Sequence, residues 1–278
     1  MNKEIKVLGV QTEPVLGDKE ANIAKVESLL EKYSWFKPDL VVLPEVFTTG
    51  IVPVKVYRKQ AEEVPGPTTE KMSAWAKELG CYFLGGSIIE ACKDGKCRNR
   101  SNFYAPDGSL IASYYKQHMF NYYGSNEGEF CSPGFETVIA RTPVATFGLT
   151  ICFDLRFTEL YRVLANNGVD IILVPAAWPY PRLEHWVVLN RARALENQCF
   201  VVAVNQVGQV PPRRMNVGNS MVIDPWGSVL ASAGEKEGVM MAEIDLERVY
   251  TLRKEFPLLE DRNHTAYQNV NVCEYSPA

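Results

Sequence analysis

The stretch ATFGLTICFDLRFTEL, residues 145–160, opens as a strand and closes as a helix. ATFGLTI (145–151) is a short apolar run of the kind found in strands covered on both faces. Cys152 follows at once, and residues 157–167 then take a helical pattern whose first turn carries Thr158 and Glu159. A side chain at such a strand-to-helix turn projects above the sheet. That is the end at which α/β proteins build their sites.

The same grammar extends in both directions. Downstream lie the buried-strand run DIILVP (170–175), an amphipathic helix LEHWVVLNRARALEN (183–197) and the strand CFVVAV (199–204). NSMVID (219–224) and SVLASA (228–233) read as short strands about a Pro225-Trp226-Gly227 turn. Upstream come a strand IKVLGVQ (5–11), a polar helix over 19–34 and LVVLP (40–44), an apolar run ended by proline. A helix near 68–79, a strand YFLGGSII (82–89) and strands around 101–115 with a Pro106-Asp107-Gly108 turn complete that half. Strands alternating with helices predict one α/β domain over residues 1–278, with roughly 247–278 as a C-terminal extension.

Bulk composition narrows the function. With 29 basic and 33 acidic residues among 278, the net charge is -4, which leaves no basic footprint for nucleic acid. The Arg213-Arg214 pair reads as solvated. The N-terminus lacks a signal-peptide pattern, and no run approaches the roughly 18 apolar residues of a spanning helix. A cytoplasmic location is expected, with no membrane partner. Seven cysteines, an odd number, argue against a disulfide framework. With no CxxC pair and only three scattered histidines, a zinc site is not expected.

Three segments place a polar residue at the end of a buried strand. In LVVLPEVFTTG (40–50), Glu45 should be partly desolvated and suited to proton transfer, although alone it reads rather as an exposed loop carboxylate. In SYYKQHMF (113–120), Lys116 sits among Tyr114, Tyr115, Met119 and Phe120. It is either paired with an anion or a snorkelling lysine. Cys152 alone reads as nucleophile or core thiol; a helix N-terminus and a nearby lysine would lower its pKa. Asp154 and Arg156 read as a local ion pair shaping the turn, and His118 as a structural hydrogen-bonding residue.

Glu45 in LPEVF, Lys116 in YYKQHMF and Cys152 in TICFDLRF together resemble the Glu–Lys–Cys triad of the nitrilase superfamily, the carbon–nitrogen hydrolases. The resemblance takes in VLGVQTEPVLGDKEANI (7–23), WVVLNRARALENQCFVVAVNQVG (186–208) and GNSMVIDPWGSVLA (218–231). KQHMF, ICFDLRF and AAWPYPR (176–182) are similar to its ω-amidase-like branch. Members carry a second glutamate shortly before a Pro-Gly pair. Here Glu127, six residues before Pro133, fits best, and Glu129 stays open.

The resemblance implies a four-layer α-β-β-α sandwich and a cysteine thioester chemistry needing no metal or organic cofactor. Glu45 would shuttle protons. Lys116 and the backbone N–H of Phe153 would hold the oxyanion, and Glu127 would orient Lys116 or act as a second acid/base. The implied substrates are small ω-amides such as α-ketoglutaramate or α-ketosuccinamate. Their carboxylate calls for a cation: Arg182, or less readily Arg156, which Asp154 would occupy. Phe47, Phe153 and Trp178 are the expected walls. The competing readings are a nitrilase, an N-carbamoyl amide hydrolase, a deaminated-glutathione amidase and, in another class, a non-catalytic scaffold. A homodimer or higher homo-oligomer is implied, with the 183–197 helix and the C-terminal segment as contacts.

Overall fold

The first strand explains the layering. β1 (Glu4–Gln11) buries Ile5 and Val7 toward one face and Leu8 and Val10 toward the other, so both faces of its sheet must be covered. The computed structural model describes residues 4–92, 95–210 and 214–273; Arg213 of the basic pair lies outside them.

After β1 come β2 (Leu40–Val42), β3 (Tyr82–Leu84), β4 (Ile88–Ala91), β5 (Cys97–Tyr104) and β6 (Leu110–Tyr115). Then follow β7 (Ile139–Arg141), β8 (Thr146–Leu149), β9 (Ile171–Ala176), β10 (Phe200–Asn205), a two-stranded ribbon β11 (Val207–Val210) and β12 (Arg214–Val217), β13 (Met221–Ile223), β14 (Val229–Ser232) and β15 (Gly238–Asp245). One sheet runs β15-β1-β2-β3-β5-β4, with β6 also on β5; the second runs β14-β13-β10-β9-β8-β7. Each has a parallel centre, β1-β2-β3 or β10-β9-β8, between antiparallel edges.

The helices are α1 (Lys19–Tyr33), α2 (Val54–Gln60), α3 (Pro67–Leu79), α4 (Thr158–Asn166), α5 (Leu183–Asn197), α6 (Glu247–Glu255) and α7 (His264–Gln268). Val26 and Leu30 of α1, with Met72, Trp75 and Ala76 of α3, share a core with Leu8, Val10, Val41 and Phe83. The opposite faces of the same strands, with Ile5, Val7, Leu40, Val42 and Phe103, meet Phe147, Leu149 and Ile171 of the second sheet. Phe103 and Phe147 pack across the gap with their ring centroids 4.9 Å apart and their planes tilted by 55°. Burying each such ring stabilises the fold by about 1.5–3 kcal/mol. Gly9 leaves room for the second sheet, since a Cβ there would lie 3.0 Å from Val204 of β10. On the outer side, Gly148 of β8 faces Leu164 of α4, and Trp186 and Ala194 of α5 join the same core. The result is the α-β-β-α sandwich that the resemblance implied.

Several elements depart from the expected pattern. The 82–89 run breaks into β3 and β4 because Gly86 takes φ 55 where a Cβ would collide with the Pro44 carbonyl. The helix α2, the β11–β12 ribbon and the long edge strand β15 were not anticipated. β15 pairs with every residue of β1, from Glu4↔Asp245 to Gln11↔Gly238. Within the C-terminal segment, α6 buries Val249 and Leu252, and its Arg253 donates to the carbonyls of Val169 and Gln198. Residues 264–273 are exposed. Among the described residues no helix is long and apolar enough to cross a membrane.

Candidate active site

The two sheets each deliver a polar residue to one cavity. Beyond β2 the chain runs to Glu45 and then turns sharply at Val46, a β-branched residue at φ 42. Such a residue in the left-handed region costs about 1–3 kcal/mol and persists only when its surroundings hold it. Here the Val46 N–H donates to Ser87 Oγ at 2.9 Å, and Gln206 Nε2 donates to the Glu45 carbonyl at 2.7 Å. The buried Glu45 carboxylate accepts three hydrogen bonds. Oε1 accepts from Lys116 Nζ and from Asn99 Nδ2, both at 2.9 Å, and Oε2 accepts from the Ala177 N–H at 3.0 Å.

Lys116 follows β6 and is buried, so it does not snorkel to water. Its Nζ lies 2.9 Å from Glu45 Oε1 and 3.0 and 2.8 Å from the two oxygens of Glu127. Burial works against its charge, but Glu127 and then Glu45 outweigh that and hold the ammonium well above the usual lysine range. Glu127 also accepts from the Phe120 N–H at 2.9 Å. Of the two glutamates left open by sequence, Glu127 is therefore the one against Lys116, while Glu129 is bonded to Asn126.

In the second sheet, β8 ends at Leu149 and Cys152 turns the chain at φ 48. A 3-10 turn over Cys152–Arg156 follows, before α4 starts at Thr158. Cys152, Glu45, Lys116 and Glu127 all line one cavity of about 650 Å³, a size typical of small-molecule sites. The environment does not lower the thiol pKa as the sequence suggested. Burial first, then the Glu45 carboxylate, push Cys152 well above the ordinary thiol value, and Lys116 only partly opposes them. Cys152 therefore rests as a thiol, with the Glu45 carboxylate beside it.

Phe153, Trp178, Arg156 and Arg182 also line the cavity. Phe47 does not. The left-handed turn at Val46 puts Val46 on the cavity wall and drives Phe47 into the core beside Val41, Leu43 and Met72. The Asp154–Arg156 pair is also absent. Asp154 is wholly buried and bonded to Tyr114, His118 and Ile151. Arg156 instead lies 4.8 Å above the Trp178 ring and donates to His185 Nδ1 at 3.0 Å. Arg182 packs over Phe120 and Tyr123, and its buried Nη2 has no hydrogen-bond partner among the described residues. Burial, then Arg214 and Arg156, depress its pKa. The sequence reading missed Asn99, Gln206 and Arg214. Asn99 and Gln206 hold Glu45, and Arg214, set aside as solvated, faces the same cavity. Gln206 carried a usable signal, a polar residue directly after the buried strand β10.

A sequence profile described as carbon-nitrogen hydrolase matches residues 7–254. The chain is 34% identical over 255 residues to an omega-amidase from Xenopus tropicalis, covering 90% of this chain and 92% of that protein. It is 35% identical over 252 residues to a deaminated glutathione amidase from Synechocystis sp., covering 87% and 92%. The crystal structure of Saccharomyces cerevisiae Nit3, a member of branch 10 of the nitrilase superfamily, superposes with a TM-score of 0.84. That match has 32% identity and covers 92% of this chain and 95% of the yeast one.

Proposed function

Because this chain belongs to the carbon–nitrogen hydrolase family, we propose that it cleaves the terminal carboxamide of small ω-amides, of the α-ketoglutaramate or α-ketosuccinamate type, to acid and ammonia through a thioester on Cys152. One observation carries the reading: the thiol of Cys152, the carboxylate of Glu45 and the ammonium of Lys116 share one buried cavity, with Glu45 held on Lys116 at 2.9 Å.

Glu45 removes the Cys152 proton as Sγ attacks the amide carbon. The developing oxyanion is stabilised by Lys116 and by the Phe153 N–H. Collapse of the tetrahedral intermediate breaks the C–N bond, and Glu45 returns its proton to the departing ammonia. Glu45 then takes a proton from water as that water attacks the thioester. The acid leaves and the proton goes back to the sulfur. Glu127 keeps Lys116 oriented throughout and, with Glu45, keeps it charged.

Arg182 is the proposed clamp for the substrate carboxylate, because its Nη2 is desolvated without a partner among the described residues, an expensive state that an anion would relieve. Ammonia release from α-ketosuccinamate and from a neutral amide of equal size tests this. A strong preference for the acid is expected. Equal rates remove the clamp, and no ammonia from either removes the ω-amidase reading.

A second reading is favoured by one feature. Arg156, Arg182 and Arg214 all face this cavity, and all three also border the outer vestibule next to it. That surplus of cations suits a larger substrate with a second carboxylate in its amine half, as in an amidase for deaminated glutathione. Hydrolysis of an N-substituted ω-amide, followed by release of its amine half because it yields no ammonia, separates the two. We also propose a homodimer through α5, whose Val188 and Leu195 are exposed. Light scattering that returned a monomer would remove it.

A further inference from the structure

We infer that Asp154 is a positioning residue that locks the Lys116 strand end and the Cys152 turn to one another. Its carboxylate is wholly buried and accepts four hydrogen bonds. Oδ1 takes the His118 N–H at 3.0 Å and His118 Nδ1 at 2.7 Å. Oδ2 takes the Tyr114 hydroxyl at 2.7 Å and the Ile151 N–H at 2.9 Å.

The sequence positions of these donors give the bonds their meaning. Tyr114 and His118 straddle Lys116, two residues to either side. Ile151 directly precedes Cys152, and Asp154 sits just after Phe153, whose N–H is the proposed oxyanion donor. One rigid group therefore spans both sheets at the place where the ammonium and the thiol must be registered. All four acceptor positions of the carboxylate are used. The Asp154 N–H closes the turn onto the Ile151 carbonyl at 3.1 Å, which helps keep Cys152 at φ 48. On the far side the Phe157 ring stacks on His118 at 3.5 Å.

Asp154→Asn tests the lock with almost no change of shape. The Ile151 and His118 N–H groups are fixed backbone donors, one on each oxygen. Whichever way the amide turns, its NH₂ opposes one of them, so Asn satisfies one side and releases the other. A misplacement of about 1 Å costs about a hundredfold. The expected result is a fall in kcat of roughly ten- to a hundredfold with KM changed by less than about threefold. Asp170→Asn is the control. Asp170 is a buried carboxylate at the other end of β8, bonded to the Thr146 N–H at 2.9 Å and paired with Arg253 at 3.6 Å. It should lower Tm and leave kcat alone. If Asp154→Asn lowers kcat no more than Asp170→Asn does at a matched loss of Tm, the inference is overturned.

Should Asp154→Asn not fold, Tyr114→Phe removes one donor from Oδ2 and is expected to lower kcat roughly three- to tenfold at constant KM; an unchanged kcat overturns the inference. The lock matters for turnover only if the proposed amidase reading holds. The alkylation rate of Cys152 by iodoacetamide is therefore measured in parallel, because it needs no substrate. A change of about tenfold or more in Asp154→Asn, absent in Asp170→Asn, supports the lock even if no amide is turned over. Identical rates in the two variants overturn it.

Discussion

The turn after β2 and the turn after β8 do the same geometrical job in different ways. Each follows a parallel strand, each puts a non-glycine residue in the left-handed region, at Val46 φ 42 and Cys152 φ 48, and each aims a side chain into the same cavity. The β2 turn is tied down everywhere. Its carboxylate has Lys116, Asn99 and Ala177, its carbonyl has Gln206, and its next N–H has Ser87. The β8 turn is held by its own short-range bonds and by Asp154, while the thiol opens on the cavity. The difference fits the proposed roles. A general base that must give and take a proton repeatedly gains from a fixed, preorganised cage, whereas a nucleophile must keep one face clear for carbon.

The largest expected effect comes from emptying the open turn. Cys152→Ala should lower turnover by about a thousandfold or more and, since it removes only one sulfur atom facing the cavity, change Tm little. Near-normal amidase activity in that variant would break the assignment of nucleophile. Next is the caged turn. Glu45→Gln keeps the shape and should cost about 10²–10⁴ in kcat, the range for a lost acid/base group. The same change should move the thiol in the opposite sense. Glu45 pushes the Cys152 pKa up and Lys116 pulls it down, so without the carboxylate the alkylation–pH profile should shift to lower pH. A shift to higher pH would mean that Glu45 does not bear on the sulfur as described.

The two turns also differ in how much of them could be read from sequence. ATFGLTI and LVVLP gave strands because both are short apolar runs, and Glu45, Lys116 and Cys152 stood out as polar groups at strand ends. What held them did not stand out. Asn99 lies inside CRNRSNFY, where alternating polar residues look like an exposed face, and its role depends on the Glu45 turn 54 residues away. The left-handed φ of Val46 leaves no mark in a β-branched residue, so Phe47 was placed on the wall instead of in the core. Asp154 had Arg156 two residues away as an obvious partner, yet its donors come partly from the other sheet, through Tyr114 and His118. β15 was missed for a similar reason, since its pairing with β1 joins the two ends of the chain.

Arg182 tests the cavity between the turns. Arg182→Met keeps much of the apolar stem over Phe120 and Tyr123 and removes the guanidinium. A hydrogen bond to a charged group contributes about 1.5–3 kcal/mol, so kcat/KM on a carboxylate-bearing ω-amide should fall by roughly ten- to a hundredfold. The rate on a neutral amide should hold. An equal loss on both substrates would make Arg182 a packing residue.

The smallest effect sharpens the comparison most. Ser87→Ala removes the acceptor for the Val46 N–H and leaves a buried donor without a partner, a cost of about 1–3 kcal/mol. Tm should fall by a few degrees. Turnover should fall by less than about threefold, because the Glu45 carboxylate keeps Lys116, Asn99 and the Ala177 N–H, and these bonds fix the base more directly than the backbone beneath it. The cage would then tolerate the loss of one support where the β8 turn, resting on Asp154, does not. If Ser87→Ala lowered kcat as far as Asp154→Asn, the two turns would be equally dependent on their backbone geometry, and the cage around Glu45 would serve stability alone.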